Sequence, residues 1–265
     1  MTRMKVLSSA LVCAAAATAA AQEPAGNAAA IKACDRACLV NILDRYLNAI
    51  YAHDPKAVPP LTKDVRMTEN TGQLDVGEGL LWRAVLTEDV PAAQRVSREV
   101  MLRVANSYFD ALEGDSGTIG AFADDCVRHE NGYRTVNNPP PGGRMMPGPQ
   151  LPDPNTEQGK SQLAFSMLTC AQQIDSKIFA YMKHIRPRRV LILDEQKQTV
   201  GTFPLFVHDG TRRGAPADAP PGMLQNLVTM ETFSVRGGLI RHVEAAPFVT
   251  IPYGLGNGWT MNSGR

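Results

Sequence analysis

The sequence has little net charge and lacks the motifs that mark nucleotide-dependent and zinc-dependent enzymes. Charged residues make up 20% of the chain and the formal net charge is +1, so nothing suggests a nucleic acid partner. There is no glycine-rich phosphate loop, no nucleophile elbow and no His-Glu-x-x-His helix. We therefore expect chemistry that uses no cofactor, and we expect no metal site.

Long apolar runs are also missing, apart from one at the start of the chain. Arg3 and Lys5 precede the run VLSSALVCAAAATA, and three alanines lead up to Gln22. This order is typical of a cleaved secretory signal peptide, which we assign to residues 1–21, with a buried N-terminal helix as the alternative. No later stretch is long and apolar enough to span a bilayer. We therefore expect a periplasmic or secreted protein with no membrane partner.

Cysteine is scarce, and one of the five cysteines, Cys13, lies in the signal peptide. The other four are an even number in an oxidising compartment, which favours disulfides. Cys34 and Cys38 are one helical turn apart, a spacing that is awkward for a bridge inside a regular helix. The favoured disulfide joins Cys126 to Cys170. Metal binding by the thiols is the alternative, although no histidine lies at ligand spacing from them.

Apolar residues at helical spacing predict two long helices. The first covers residues 38–54 and ends before Pro55, because the residue before a proline avoids the helical region. The second covers residues 97–115, with Ser97 as its N-cap. The segments TIGAFADD and CVRHENGYRT that follow predict a short helix and a strand.

The second half of the chain predicts a helix followed by a sheet. A Pro/Gly-rich loop at 137–160 is either an active-site lid or a solvated excursion. The stretch SQLAFSMLTCAQQIDS is amphipathic and predicts a helix. Four β-rich segments come next, at 177–195, 198–210, 226–238 and 239–252. Helices that precede an antiparallel sheet without alternating with its strands indicate an α+β fold.

One phrase occurs twice in the chain. KDVRMTENTGQL, from residue 63, and DDCVRHENGYRT, from residue 124, each run through Val-Arg to Glu-Asn and a nearby glycine. Each also follows an amphipathic stretch with an aromatic residue and a turn. The order predicts a weak internal repeat, produced by duplication and partial loss.

These segments resemble the nuclear transport factor 2-like (NTF2-like) superfamily, which includes SnoaL-like cyclases and ketosteroid isomerases. RYLNAIYAHD with LTKDVRMTEN, and SYFDALEGD with AFADDCVRHENG, are similar to its opening helix, turn and first strand. METFSVRGGLIRHVEA resembles its final hairpin. The resemblance implies a cone, in which a curved antiparallel sheet wraps around a long helix and encloses an apolar pocket. We expect an incomplete N-terminal half-unit at 31–92 and a complete unit at 95–262.

The resemblance to ketosteroid isomerases also implies two catalytic positions. The carboxylate that removes a proton falls near Glu130, and the tyrosine that stabilises the oxyanion falls near Tyr108. A carboxylate inside an apolar cone has a raised pKa, which suits a general base. The alternative is that Glu130 pairs with Arg128 or faces water, and that Tyr108 is an ordinary core residue.

Strand alternation does not decide which face of this region points into the cone. If residues 127–134 form one strand, His129, Asn131 and Tyr133 share one face, and Arg128, Glu130 and Arg134 share the other. An inward His129 would be an acid/base candidate because its ordinary pKa is near neutrality. A structural histidine is the alternative. Arg128, Asn131 and Tyr133 are candidate substrate-binding residues.

A second candidate group lies in YMKHIRPRR. An inward pair of Tyr181 and Lys183 could bind and deprotonate a hydroxyl group, with Lys183 as the base. The alternative is an edge strand whose charges discourage aggregation. Glu231 and Glu244, on the last hairpin, are possible partners for the positive charge and candidate substrate-binding residues.

The resemblance and these residues together predict a cofactor-independent lyase that acts on a small aromatic or polycyclic molecule. Bacterial diarylpropane lyases, which release formaldehyde from lignin-derived diols to leave a stilbene, are similar in fold and general type. An isomerase or dehydratase, a carrier of an apolar ligand and an assembly module are the alternatives. A homo-oligomer is expected, since the superfamily commonly forms them.

Overall fold

The computed structural model describes residues 34–69, 72–139, 153 and 155–255. The chain divides after Asn41 into two compact units. The signal peptide assignment and most of the predicted loop at 137–160 lie outside the described residues. Among the described helices, none combines the length and apolarity that a membrane span requires.

The first helix, α1, spans Arg36–Tyr51. Just before it, Cys34 forms a disulfide with Cys38, and their Cα atoms are 5.2 Å apart. Because α1 begins only at Arg36, Cys34 lies outside the regular helix, and the expected obstacle to this bridge does not apply.

The second helix, α2, spans Arg98–Gly114 and carries the core of the larger unit. Its predicted limits and its predicted N-cap, Ser97, are confirmed, although the Ser97 hydroxyl donates to Glu99 rather than capping the backbone. The buried face packs against the inner side of the sheet in one apolar cluster. Its α2 members are Met101, Val104, Ala105, Tyr108, Phe109, Ala111 and Leu112.

The sheet has six strands in the order β4-β3-β8-β7-β6-β5. All neighbouring strands are antiparallel except β3 and β8, which are parallel. The sheet is curved and unclosed, and its mostly antiparallel pairing together with few helices confirms the predicted α+β class. The strands are β3 (Phe122–Glu130), β4 (Tyr133–Arg134), β5 (His184–Asp194), β6 (Thr199–Asp209), β7 (Leu224–Arg236) and β8 (Leu239–Pro252).

Smaller elements fill the remaining described residues. The hairpin of β1 (Met67–Glu69) and β2 (Gly72–Leu74) follows α1, much as β3 and β4 follow α2. Two short helices, α3 (Glu157–Ser166) and α4 (Cys170–Asp175), replace the single helix predicted over 161–176. Single 3₁₀ turns occur at Pro55–Ala57, Leu80–Trp82, Ala84–Leu86 and Ala92–Gln94.

Two local predictions near β3 and α4 were wrong for identifiable reasons. Residues 118–125 contain a turn and the start of β3, because Phe122 pairs with Ile240 of β8. The predicted helix over 161–176 is interrupted because Thr169 and Gln172 form a capping box that starts α4 afresh.

The predicted strand over CVRHENGYRT is a hairpin. Asn131 and Gly132 have φ values of 48° and 85°, as the tight Asn-Gly turn between β3 and β4 requires. Glu130 pairs with Tyr133, and His129 pairs with Arg134. The predicted face assignment is therefore reversed beyond the turn, and Tyr133 shares a face with Glu130.

A disulfide between Cys126 and Cys170 joins β3 to α4, with a Cα separation of 5.9 Å. Both residues belong to the main apolar cluster. The bridge therefore fixes α4 against the sheet from within the core. The domain limits 31–92 and 95–262 stay predictions.

Candidate functional site

The larger unit contains a cavity of about 440 Å³. It is bounded by α2, by the inner faces of β3, β6 and β7, and by the segment before β5. This volume lies in the range of small-molecule sites. Most of the lining is apolar and much of it is aromatic: Leu112, Phe165, Ile178, Phe179, Met182, Phe206, Met223 and Leu227.

Arg128 organises the polar groups on the β3 side of the cavity. Its Nε donates to the Tyr108 hydroxyl at 3.0 Å, and Nη1 donates to Thr135 Oγ1 at 3.3 Å. Its Nη2 forms an ion pair with Glu130 Oε1. The guanidinium also lies 5.4 Å from the ring centroid of Phe179. Burial alone would lower the pKa of Arg128, but Glu130 and Tyr108 outweigh it and raise that pKa, so the guanidinium stays charged.

Three aromatic rings hold the ring of Tyr108 in place. The ring packs edge-on against Phe109, Phe122 and Phe233 at centroid distances of 5.4, 6.2 and 5.2 Å. Burial raises the pKa of its phenol, so the hydroxyl keeps its proton at neutral pH. The Arg128 contact uses the oxygen as an acceptor, which leaves the proton available to donate.

Glu231 is a second carboxyl group in the same cavity, and it is only 1% exposed. It pairs with Ala245 of β8, the residue that also pairs with Glu130 from the other side. The two carboxyl-bearing residues therefore lie level with each other on strands that flank β8. Oε2 of Glu231 has no hydrogen-bond partner among the described residues.

Burial raises the pKa of Glu231 to about 8. Arg128 opposes this shift, while the negative charges of Glu130 and Glu244 add to it. At neutral pH Glu231 is therefore mostly a protonated acid, whereas Glu130 is ion-paired with a guanidinium. The cavity thus contains two carboxyl groups in unlike electrostatic settings, a pattern that occurs at acid/base active sites.

His208 lies on β6 and lines the same cavity, with 3% of its surface exposed. Neither ring nitrogen has a hydrogen-bond partner among the described residues. Burial lowers the pKa of His208, so the ring is neutral near pH 7. The ring of Tyr181 packs edge-on against it at 4.9 Å, and burial raises the pKa of Tyr181.

His129 and Glu244 lie on the opposite, outer face of the sheet. The His129 ring stacks on His242 at 4.8 Å, and His242 Nε2 is 3.0 Å from Glu244 Oε2. Arg83 binds both oxygens of Glu244 at 2.6 and 2.7 Å and donates to the carbonyl of Gly132 at 2.6 Å. Burial, then Arg83 and His242, lower the pKa of His129. Both residues lie outside the described lining of the cavity, so the predicted roles of His129 as a base and of Glu244 as a substrate-binding residue do not fit the structure.

Lys183 and Tyr133 also lie apart from the described lining of the cavity. Lys183 is half exposed and pairs with Asp209, so its proposed role as a buried base is corrected. The alternation used for Tyr181 and Lys183 fails because β5 begins only at His184. Tyr133 is buried elsewhere in the fold.

The cavity brings together six of the residues predicted from the sequence, and their roles stay predictions. They are Tyr108, Arg128, Glu130, Asn131, Tyr181 and Glu231.

A family model for DUF8021, a domain of unknown function, matches residues 94–247. The chain belongs to the DUF8021 family. The matched range contains α2, the cavity-lining strands and every candidate residue of the cavity. A search of curated proteins finds no match.

Several solved structures are similar to this DUF8021 protein. An NTF-2 like protein of unknown function from Burkholderia xenovorans LB400 is 12% identical, with 61% of this chain and 90% of that chain covered and a TM-score of 0.31. A protein of unknown function with a cystatin-like fold from Methylobium petroleophilum PM1 is 13% identical, with coverages of 64% and 97% and a TM-score of 0.31. A protein from Xanthomonas campestris pv. campestris, described as a proposed polyketide cyclase, is 17% identical, with coverages of 56% and 90% and a TM-score of 0.33.

The sequence pattern does not single out His208 in this DUF8021 domain. The residue is next to last in the run TFPLFVHD, and its immediate neighbours do not distinguish it from a surface histidine. Strand alternation was the available signal, because Phe206 and His208 share the face that lines the cavity. Arg83 also lacked a signal, since its partner Glu244 is 161 residues away in the chain.

Proposed function

We propose that the protein is an enzyme that performs acid/base chemistry on a small, uncharged, largely aromatic molecule without a cofactor. The observation that carries this proposal is the pair of carboxyl groups in one apolar cavity. Glu130 is ion-paired with Arg128, and Glu231 is buried with a pKa of about 8. A carboxylate and a carboxylic acid that face the same bound ligand provide a base and an acid at the same pH.

Each polar group has a definite role in this proposal. Glu130 accepts a proton from the substrate, and Arg128 holds its carboxylate in position. Glu231 donates a proton to the oxygen that leaves or becomes charged. The Tyr108 hydroxyl, polarised by the Arg128 Nε donor, stabilises negative charge on oxygen in the transition state.

The finer reaction we propose is a lyase reaction on a lignin-derived diarylpropane diol. Glu130 takes the proton of the primary alcohol, the adjacent carbon–carbon bond breaks, and formaldehyde leaves. The electron pair of that bond forms the alkene, and the benzylic hydroxyl departs as water with the proton of Glu231. The products are a stilbene, formaldehyde and water, and proton transfer from Glu130 to Glu231 restores the enzyme. The aromatic lining of the cavity supports two-ring substrates. A ketosteroid isomerase-like proton transfer uses the same groups and is the second candidate.

Location outside the cytoplasm is part of the proposal. The described part of the chain contains two disulfides, and such bonds persist in oxidising compartments. Together with the predicted signal peptide they support a periplasmic or secreted enzyme.

The test measures formaldehyde and stilbene release from diarylpropane diols, and double-bond migration in cyclic enones. Glu130→Gln and Glu231→Gln should each lower kcat/KM by about 100-fold or more, as expected for loss of a general acid or base. Glu157→Gln is the matched control, since Glu157 is an exposed carboxylate on α3. If the parent protein binds aromatic ligands but converts none of these substrates, the enzyme proposal is wrong and a carrier is supported.

A carrier of an apolar ligand is favoured by one specific observation. Arg128, Glu130, Tyr108 and Thr135 largely satisfy one another, which leaves fewer of their polar atoms to act on a ligand. If the protein is a carrier, Glu130→Gln and Glu231→Gln should bind the ligand as tightly as the parent does, and no turnover should be measured for the parent or for either variant.

A further inference from the structure

His208 has two ring nitrogens buried in the cavity that form no hydrogen bond with any described residue. Both Nδ1 and Nε2 are without hydrogen-bond partners there, and only 3% of the residue is exposed. An unsatisfied buried donor or acceptor is costly, and such groups in native proteins usually meet a partner. The cavity is the space that a partner can occupy.

The surrounding structure fixes the position of this ring. His208 is on β6, which pairs with β5 on one side and β7 on the other. Tyr181 packs against the ring edge-on at 4.9 Å. The preceding residue, Val207, belongs to a separate apolar cluster with Leu205 and Val228, so strand alternation turns His208 the other way, towards the cavity. The imidazole is therefore placed in advance of any ligand.

A neutral imidazole offers one N–H donor and one nitrogen acceptor. A hydroxyl group, which both donates and accepts, is complementary to such a ring. A carboxylate could accept only the single N–H of this ring, would leave the other nitrogen without a donor, and would bury a negative charge that a neutral ring does not balance. The cationic Arg128 is ion-paired with Glu130 and is therefore already engaged. This end of the ligand should be uncharged.

The sheet register separates His208 from Glu231. His208 pairs with Gln225, six residues before Glu231 on β7. Six residues of a strand span about 20 Å between Cα atoms, and somewhat less with the bulge near Met230. The surface between them includes Phe206 and Leu227, which are directly opposite each other and apolar. Along β6 and β7, the cavity thus has polar residues at two separated positions with the apolar pair Phe206 and Leu227 between them.

We propose that His208 is a specificity-determining residue that binds a hydroxyl group, phenolic in an aromatic ligand, at the end remote from Glu231. The ligand class is an extended, uncharged molecule of two rings with a hydroxyl on the outer ring. The proposal rests on the proposed function in one respect, which is that the other end of the ligand lies at Glu130 and Glu231.

The test compares two probes of the same shape by fluorescence titration: trans-4-hydroxystilbene and trans-4-methylstilbene. The parent protein should bind the hydroxy probe about tenfold more tightly, because only it satisfies the imidazole. His208→Leu should abolish or reverse this preference, whereas His208→Gln, which keeps a donor and an acceptor, should retain part of it. His184→Leu is the matched control, because His184 is outside the described lining of the cavity.

The outcomes separate this inference from the proposed enzyme activity. An unchanged preference in folded His208→Leu, or a parent protein that binds neither probe or does not distinguish them, overturns the role of His208. A His208-dependent preference in a protein that converts no substrate supports the role of His208 and contradicts the proposed activity. If His208→Leu turns over substrate normally and still distinguishes hydroxylated from methylated substrates as the parent does, the proposed activity is supported and the role of His208 is wrong.

Discussion

Glu231 links the chemistry of the cavity to the stability of the protein. Its carboxyl group is fully buried, and burial raises its pKa from an ordinary value of 4.5 to about 8. Between these two pH values the unfolded chain has released the proton and the folded protein has kept it. The folded state then binds more protons, so the free energy of unfolding falls as the pH rises through this window.

Replacing Glu231 should therefore flatten the dependence of stability on pH. The free energy of unfolding of the parent, measured by urea titration, should fall between pH 5 and pH 8 by a few kcal/mol more than that of Glu231→Gln, since one pKa unit corresponds to about 1.4 kcal/mol. The difference between the two proteins isolates Glu231 from other titrating groups. Glu157→Gln should follow the parent, and parallel curves for parent and Glu231→Gln would contradict the shift.

The same ionisation should limit catalysis. If Glu231 is the general acid, kcat should fall tenfold per pH unit well above about pH 8, where the folded protein loses this proton. Rates from pH 6 to pH 10 on any converted substrate measure this limb. A flat profile through pH 9.5 would remove Glu231 from the acid role.

At the scale of elements, the sequence predicts the regular parts of the fold well. The helix over 97–115 and the last three β segments are confirmed, because long periodic patterns indicate which residues are buried. The first β segment, predicted over 177–195, is a strand only from His184 onwards. The region around β3 was harder to predict. Residues 118–125 have a helical pattern but contain the start of β3, because Phe122 pairs with β8. The Asn131–Gly132 turn reverses the faces of the residues that follow it. Which strands pair depends on contacts far apart in sequence, which local periodicity does not contain.

The residues of the candidate site also divide into those that the sequence could place and those that it could not. Tyr108 and Glu130 could be placed through the family resemblance, because both lie on elements that the sequence predicts. Lys183 was misplaced because β5 starts one residue after it. For His208 the available signal was its alternation with Phe206 along the strand, and that pattern alone does not show which face of the strand is buried.

The Cys126–Cys170 bridge is an element-scale contact with a measurable effect. It closes a loop of 44 residues between β3 and α4. Cross-linking a loop of this length typically contributes about 2–4 kcal/mol. The double variant Cys126→Ala, Cys170→Ala should lose about this much in a urea titration. The matched variant Cys34→Ala, Cys38→Ala should lose clearly less, because that bridge spans a separation of only 4 residues. Equal losses from both variants would contradict this account.

At the scale of the whole larger unit, the sheet has a polar cluster on its outer face and the cavity on its inner face. Arg83, from the segment that precedes α2, neutralises the buried Glu244 on the outer face. Removing one partner of a buried ion pair leaves an uncompensated charge and typically costs about 3–5 kcal/mol.

Arg83→Met should therefore lower the free energy of unfolding by about 3 kcal/mol while leaving the cavity chemistry intact. The expected signature is a lower urea midpoint together with an unchanged ratio of affinities for the hydroxy and methyl stilbene probes. Glu157→Gln again serves as a surface control. A change in the probe ratio with no loss of stability would show that the outer cluster acts on the cavity instead.

One consequence follows from the strands that carry Glu130 and Glu231. Because β8 alone separates them, the ladder hydrogen bonds hold their Cα atoms roughly 10 Å apart, twice the spacing of neighbouring strands. That interval is a property of the main chain and does not depend on any loop. Both side chains line the cavity, so a ligand that lies over Ala245 can contact the two carboxyl groups at once.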